Sequence, residues 1–186
     1  MQPSAGPDLP HTRATAAHWL ATGLGVAAAV AICVVAQPAG AAPTIAPATA
    51  PGAPNASAAH YPIACHGLPV DVVSKAAADL DGDGRPETVA VVRCDAPTGT
   101  PPSGVYVLDP PATPGGRPRV VGTLVDPANK LSLRDFTVTG RTVSATLLGY
   151  SSNQVPRCCP DLARKFSWEW NDGRYVAIPG PHANSV

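Results

Sequence analysis

The sequence predicts a mostly β domain, a single antiparallel meander or small sandwich with one or two short helices, placed after an N-terminal hydrophobic segment. Three observations predict it. Runs of β-branched residues have strand length, polar and apolar residues alternate at period two, and Gly, Asp, Asn and Pro punctuate the intervals.

Residues 19–36 carry no charge and are rich in Ala, Val, Leu and Ile, and Pro38-Ala39-Gly40-Ala41-Ala42 follows them. Small residues Ala39 and Ala41 suit cleavage after Ala41, so residues 1–41 read as a signal peptide. About 18 apolar residues also approach the minimum for a membrane span, so a retained transmembrane helix is the alternative. Either way the expected place is outside the cytoplasm, secreted or anchored on the outer face of the cytoplasmic membrane. Cys33 follows Val30-Ala31-Ile32, and the bulky Ile32 stands where a lipid-modified cysteine needs a small neighbour.

Residues 42–59 are Ala, Pro and Gly with a few Thr and Ser and no charge, which predicts an extended linker. Within it, Asn55-Ala56-Ser57 fits an N-glycosylation acceptor. Residues 60–179 are expected to form one disulfide-stapled β domain, with 180–186 as a tail.

Along that domain, residues 87–93, 105–108 and 119–124 read as strands, while residues 70–78 are open between strand and helix because three alanines follow the valines. Pro and Gly cluster in 97–104 and 110–118, which read as loops. Asp126-Pro127 can start a short helix. Residues 135–139 and 142–147 alternate about the turn Gly140-Arg141. Phe166, Trp168 and Trp170 share one strand face, and Asn171-Asp172-Gly173 turns the chain into a partner strand over 174–178.

The mature region holds Cys65, Cys94, Cys158 and Cys159, an even number that predicts two disulfides in an exported chain. A Cys158 to Cys159 bridge is disfavoured, since adjacent Cα atoms lie ~3.8 Å apart and disulfides usually span ~4.4 to 6.8 Å. The favoured arrangement bonds Cys65 and Cys94 each to one member of the adjacent pair.

Acidic residues recur at every second position in Asp79-Leu80-Asp81-Gly82-Asp83-Gly84, and Glu87 follows. Alternate carboxylates around a forced turn converge on one point, and their hard oxygens suit Ca²⁺. Asp79, Asp81, Asp83 and Glu87 are thus the candidate metal ligands and Ca²⁺ the candidate cofactor. A metal-free turn is the competing reading, because Asp bonds its own backbone and Gly accepts positive φ.

The pattern from Asp79 to Glu87, running into the strand that follows, resembles the loops of FG-GAP or VCBS-type β repeats, though it occurs once here. A broader resemblance, over about Cys65 to Ile178, is to small exported actinobacterial domains of the LppP/LprE lipoprotein type. It is carried by the acidic loop entering a strand that ends in Cys94, by Cys158-Cys159-Pro160, and by Trp170 to Tyr175. The resemblance implies an envelope-attached or secreted β domain of no established enzymatic activity.

No metalloprotease, nucleophile-elbow, phosphate-loop or dinucleotide motif is present. His66, near the start of the domain, is the histidine inside it, and only an accident of folding would pair it with Ser151 or Ser152 as a hydrolase needs. Thirteen basic and thirteen acidic residues give zero formal net charge, against a nucleic-acid partner. The expectation is a non-catalytic interaction or structural module whose partner is an envelope or extracellular protein or glycan, with membrane contact only through the N-terminal segment. An envelope hydrolase using the acidic-loop carboxylates is the alternative.

Overall fold

The computed structural model describes Ala16 and residues 19–22, 47–113 and 115–182. The chain divides into two units, Met1–Ala42 and Pro43–Val186. The described residues of the first are helical. Among the described residues no helix is long and apolar enough to cross a membrane. Most of the hydrophobic segment 19–36, Cys33 and the cleavage position after Ala41 lie outside them.

The described residues of the second unit form eight strands in two antiparallel four-stranded meanders. One comprises β1 (Val70–Ala78), β2 (Glu87–Cys94), β3 (Ser103–Asp109) and β4 (Arg119–Val125) in that order. The other comprises β5 (Ser132–Thr139), β6 (Thr142–Gly149), β7 (Leu162–Asn171) and β8 (Arg174–His182). A single 3-10 turn, Pro127–Asn129, follows β4; Asp126 caps it by accepting from the Ala128 N–H at 2.8 Å.

The sheets share a core. Val89 and Val91 of β2, Val105 and Val107 of β3, Val143, Ala145 and Leu147 of β6, and Trp168 of β7 form one buried cluster. In β6 the intervening Thr142, Ser144 and Thr146 stay partly exposed, as period-two alternation requires when one sheet face meets solvent. Strands β2 and β3 differ, because both of their faces are buried. Ala90, Val92, Tyr106 and Leu108 point away from the second sheet and need another cover.

Residues 47–59 of the stretch expected to be an extended linker supply it, which corrects that reading for these residues. Ala56 is fully buried in a second cluster with Tyr61, Ala90, Val92, Tyr106 and Leu108. Small side chains let the segment lie close to the sheet, and its carbonyls satisfy buried hydroxyls. Thr88 donates to the Pro54 carbonyl at 2.8 Å, Tyr61 to that of Ala56 at 2.7 Å, and Tyr106 to that of Pro62 at 3.2 Å. The Ala77 N–H on the edge strand β1 donates to the Pro47 carbonyl at 2.8 Å. Asn55 caps the 3-10 turn Ala56–Ala58 by accepting from the Ser57 N–H.

The disulfide expectation is corrected too. Cys65 bonds to Cys94 with Cα atoms 5.3 Å apart, while Cys158 and Cys159 are free and exposed. The covering segment runs beside β2 and brings Cys65 to that strand's last residue, whereas the adjacent pair sits in the β6–β7 loop of the other sheet. The expected tail also begins late, since β8 continues to His182.

Candidate metal centre

The acidic loop connects β1 to β2, whose ends are held in register by the pairing of Ala78 with Glu87. Gly82 and Gly84 adopt φ of 83° and 86°, left-handed values that let the chain double back between the acids. Asp79 then accepts two backbone N–H groups, from Gly82 at 2.7 Å and Gly84 at 3.1 Å. Asp81 accepts from Asp83 at 3.0 Å. Each bond is the local turn chemistry that Asp favours.

Three of the four predicted ligands converge. One carboxylate oxygen each from Asp79, Asp81 and Glu87 lie within 4.8 Å of one another. The fourth does not join them: Asp83 turns outward, where Arg85 binds it through Nε at 2.9 Å and Nη2 at 2.6 Å and through its backbone N–H at 2.8 Å. Those bonds hold the Asp83 carboxyl below the usual carboxylate range. The loop's own arginine thus removes Asp83 from the ligand set.

Glu87 is 2% exposed. Burial pushes its carboxyl up, the charge of Asp81 adds to that, and N–H groups of Leu80 and Asp81 pull the other way. The Leu80 bond is 2.7 Å long. A cation beside Glu87 would lower the cost of keeping it charged where water is scarce.

The second sheet completes the loop. Arg141, in the β5–β6 turn, donates from Nε to the Leu80 carbonyl at 2.8 Å and from Nη2 to the Asp81 carbonyl at 2.6 Å. Its Nη1 lies 3.0 Å from where a Cβ on Gly82 would stand, so the guanidinium packs flat against the glycine. Tyr175 of β8 is raised by burial and then by the charges of Glu87 and Asp81, which places its phenol in the same field. Asp109, at the end of β3, adds to the negative field on Glu87 and pairs with Arg119 at 3.1 Å.

Sequence reading missed Arg141, Tyr175 and Asp109. Asp109 was accessible in principle, because the β2–β3 register sets Thr88 against Leu108 and so brings Asp109 toward Glu87. Arg141 and Tyr175 carried no local signal. The pairing of His66 with Ser151 or Ser152 does not occur; the Ser151 hydroxyl and N–H bond the Asp161 carboxylate. Trp168 is 3% exposed and belongs to the inter-sheet core, with Phe166 partly buried beside it.

No family model, no curated protein and no solved structure matches the chain.

Proposed function

We propose that the chain is a non-catalytic module of the envelope or extracellular space, whose first loop takes up Ca²⁺ and presents the adjoining surface to a protein or glycan. The observation that carries this reading is the convergence of Asp79, Asp81 and Glu87 within 4.8 Å at the mouth of a fixed strand pair. Ca²⁺ takes about six to eight oxygens at about 2.3–2.6 Å, and water and backbone carbonyls complete such sets. Several of the carboxylate oxygens already accept N–H groups. Occupancy therefore competes with those bonds, and the affinity belongs to the range of about 0.1 to 1 mM seen in extracellular modules.

Placement outside the cytoplasm rests on residues 19–41, and the balanced charge of the chain favours a neutral partner surface over nucleic acid. Calorimetry and thermal melts with Ca²⁺, Mg²⁺ and a chelator test the loop. A rise in melting temperature with millimolar Ca²⁺, reversed by the chelator, supports the reading; no response leaves Asp79 to Glu87 as a structural turn.

One observation favours the hydrolase instead. A buried Glu87, its carboxyl pushed up by burial, beside the more exposed carboxylates of Asp79 and Asp81 has the arrangement of an acid–base carboxylate pair. Cleavage of an envelope oligosaccharide by the native chain and its loss in Glu87→Gln would replace the module reading.

A further inference from the structure

Strands β1 and β5 are the outer strands of their sheets, and they meet at one edge of the sandwich. Each carries a bulge. In β1 the register passes from Val72 opposite Val92 to Ser74 opposite Val91, which makes Val73 an extra residue. In β5 it passes from Arg134 opposite Thr146 to Thr137 opposite Ser144, so Asp135 and Phe136 together face Ala145. Asp135 takes a φ of 55°, a left-handed value inside a strand and at a residue with a Cβ. Bulges bend a strand and re-aim its side chains, and backbone of this kind collects at ligand sites.

Both bulges line one cleft of about 600 Å³, within the range of roughly 300–1,000 Å³ of small-molecule sites. Val73, Val91, Leu133, Phe136 and Leu148 make most of its wall apolar. Arg93 and Arg134 line it as well, against the single carboxylate of Asp135. Beside it the Ser103 N–H donates to the Leu131 carbonyl at 2.9 Å and ties the two sheets together. The Asp135 carboxylate is engaged by the Thr146 hydroxyl at 3.1 Å. The ion pairs of the arginines are loose, with Arg93 Nε 3.9 Å from Asp71 and Arg134 Nε 3.5 Å from Asp135, beyond hydrogen-bond length. Their planar forks remain open to a carboxylate, which guanidinium groups bind through paired N–H donors.

The lining narrows the ligand. A sugar would leave most of the apolar wall unmatched, and a polyanion would meet one excess positive charge. A single carboxylate on an apolar body suits both. We propose that the cleft between β1 and β5 binds an amphipathic carboxylate, its head drawn by the charge of Arg93 and Arg134 and its body laid along Leu133, Phe136 and Leu148. The acidic loop, which joins the other ends of β1 and β2, takes no part.

An NMR titration of the full chain with octanoate, in the presence of a calcium chelator, tests this. The expected result is a saturable set of amide shifts centred on Val73, Val91, Arg134 and Phe136, complete at one equivalent bound. Binding should weaken at least about tenfold in the Arg93→Gln, Arg134→Gln double variant, with the loss of a charged hydrogen bond. It should vanish in Val73→Glu, which sets a second carboxylate in the cleft. All three side chains are exposed, so these variants should melt as the native chain does. Octanol, which has the body without the charge, should bind more weakly than octanoate, and acetate should produce no shift at the same concentration. The proposal is overturned by no saturable shifts, by shifts centred elsewhere, by undiminished binding in either variant, or by octanol or acetate binding as tightly as octanoate.

Discussion

Arg141 and Leu80, 61 residues apart in sequence, are joined by a 2.8 Å bond from the guanidinium to the Leu80 carbonyl. With the second bond to Asp81, this fork clamps the acidic loop of one sheet onto a turn of the other. Hydrogen bonds to charged groups are worth about 1.5–3 kcal/mol. Arg141→Ala should destabilise the domain by about 2 kcal/mol, and Arg141→Lys, which lacks the planar fork, by about half as much. Chemical denaturation of the three chains measures both.

Within the loop, Asp79 and Asp83 should separate cleanly. Asp83 is committed to Arg85 on the surface, so Asp83→Ala should leave any Ca²⁺-dependent rise in melting temperature intact. Asp79 both joins the ligand cluster and accepts the Gly82 and Gly84 N–H groups. Asp79→Ala should abolish the Ca²⁺ response and lower stability by about 1–2 kcal/mol without metal. Equal responses in the two variants would refute this division of roles.

The Cys65–Cys94 link closes a loop with a sequence separation of 29 residues. Loop-closure entropy for that length gives about 3–4 kcal/mol. Cys94→Ser should lose about that much and free the covering segment from the outer face of β2 and β3. Alkylation of the unreduced native chain followed by peptide mapping should label Cys158 and Cys159 but neither Cys65 nor Cys94. Label on Cys65 would contradict the pairing.

Tyr61 supplies one part of the alkaline pH dependence, beside Tyr106 and Tyr175, whose phenols burial also raises. Burial pushes the Tyr61 phenol from the ordinary 10 up to about 12. The folded state therefore holds the proton more tightly than the unfolded chain does. This contribution is fully present below about pH 10 and lost as pH rises toward about 12, to a maximum of about 3 kcal/mol. Tyr61→Phe should cost about 1 kcal/mol at neutral pH, through the lost bond to the Ala56 carbonyl, and flatten the alkaline decline. Denaturation at about pH 8 and about pH 11 compares them.

Local chemistry carried a large part of the fold. Alternation in residues 142–147, the Asp172-Gly173 turn with φ of 48° and 81°, and the Asp126 cap are each decided by a few adjacent residues, and each stands where the sequence placed it. The acidic loop was legible for the same reason, since its glycines and Asx bonds are internal to it. Residues 47–59 were not. Ala, Pro and Gly there lack the apolar bulk to build a core, but whether such a segment stays free depends on what lies beside it, and two strands buried on both faces needed a thin cover with open carbonyls. Cysteine pairing followed from that docking, because Cys65 belongs to the cover and stands beside Cys94 at the end of β2. Only the packing of sheet on sheet could bring Arg141 to Leu80 or set Tyr175 in the field of Glu87, since those contacts depend on the relative position of strands that no local pattern encodes.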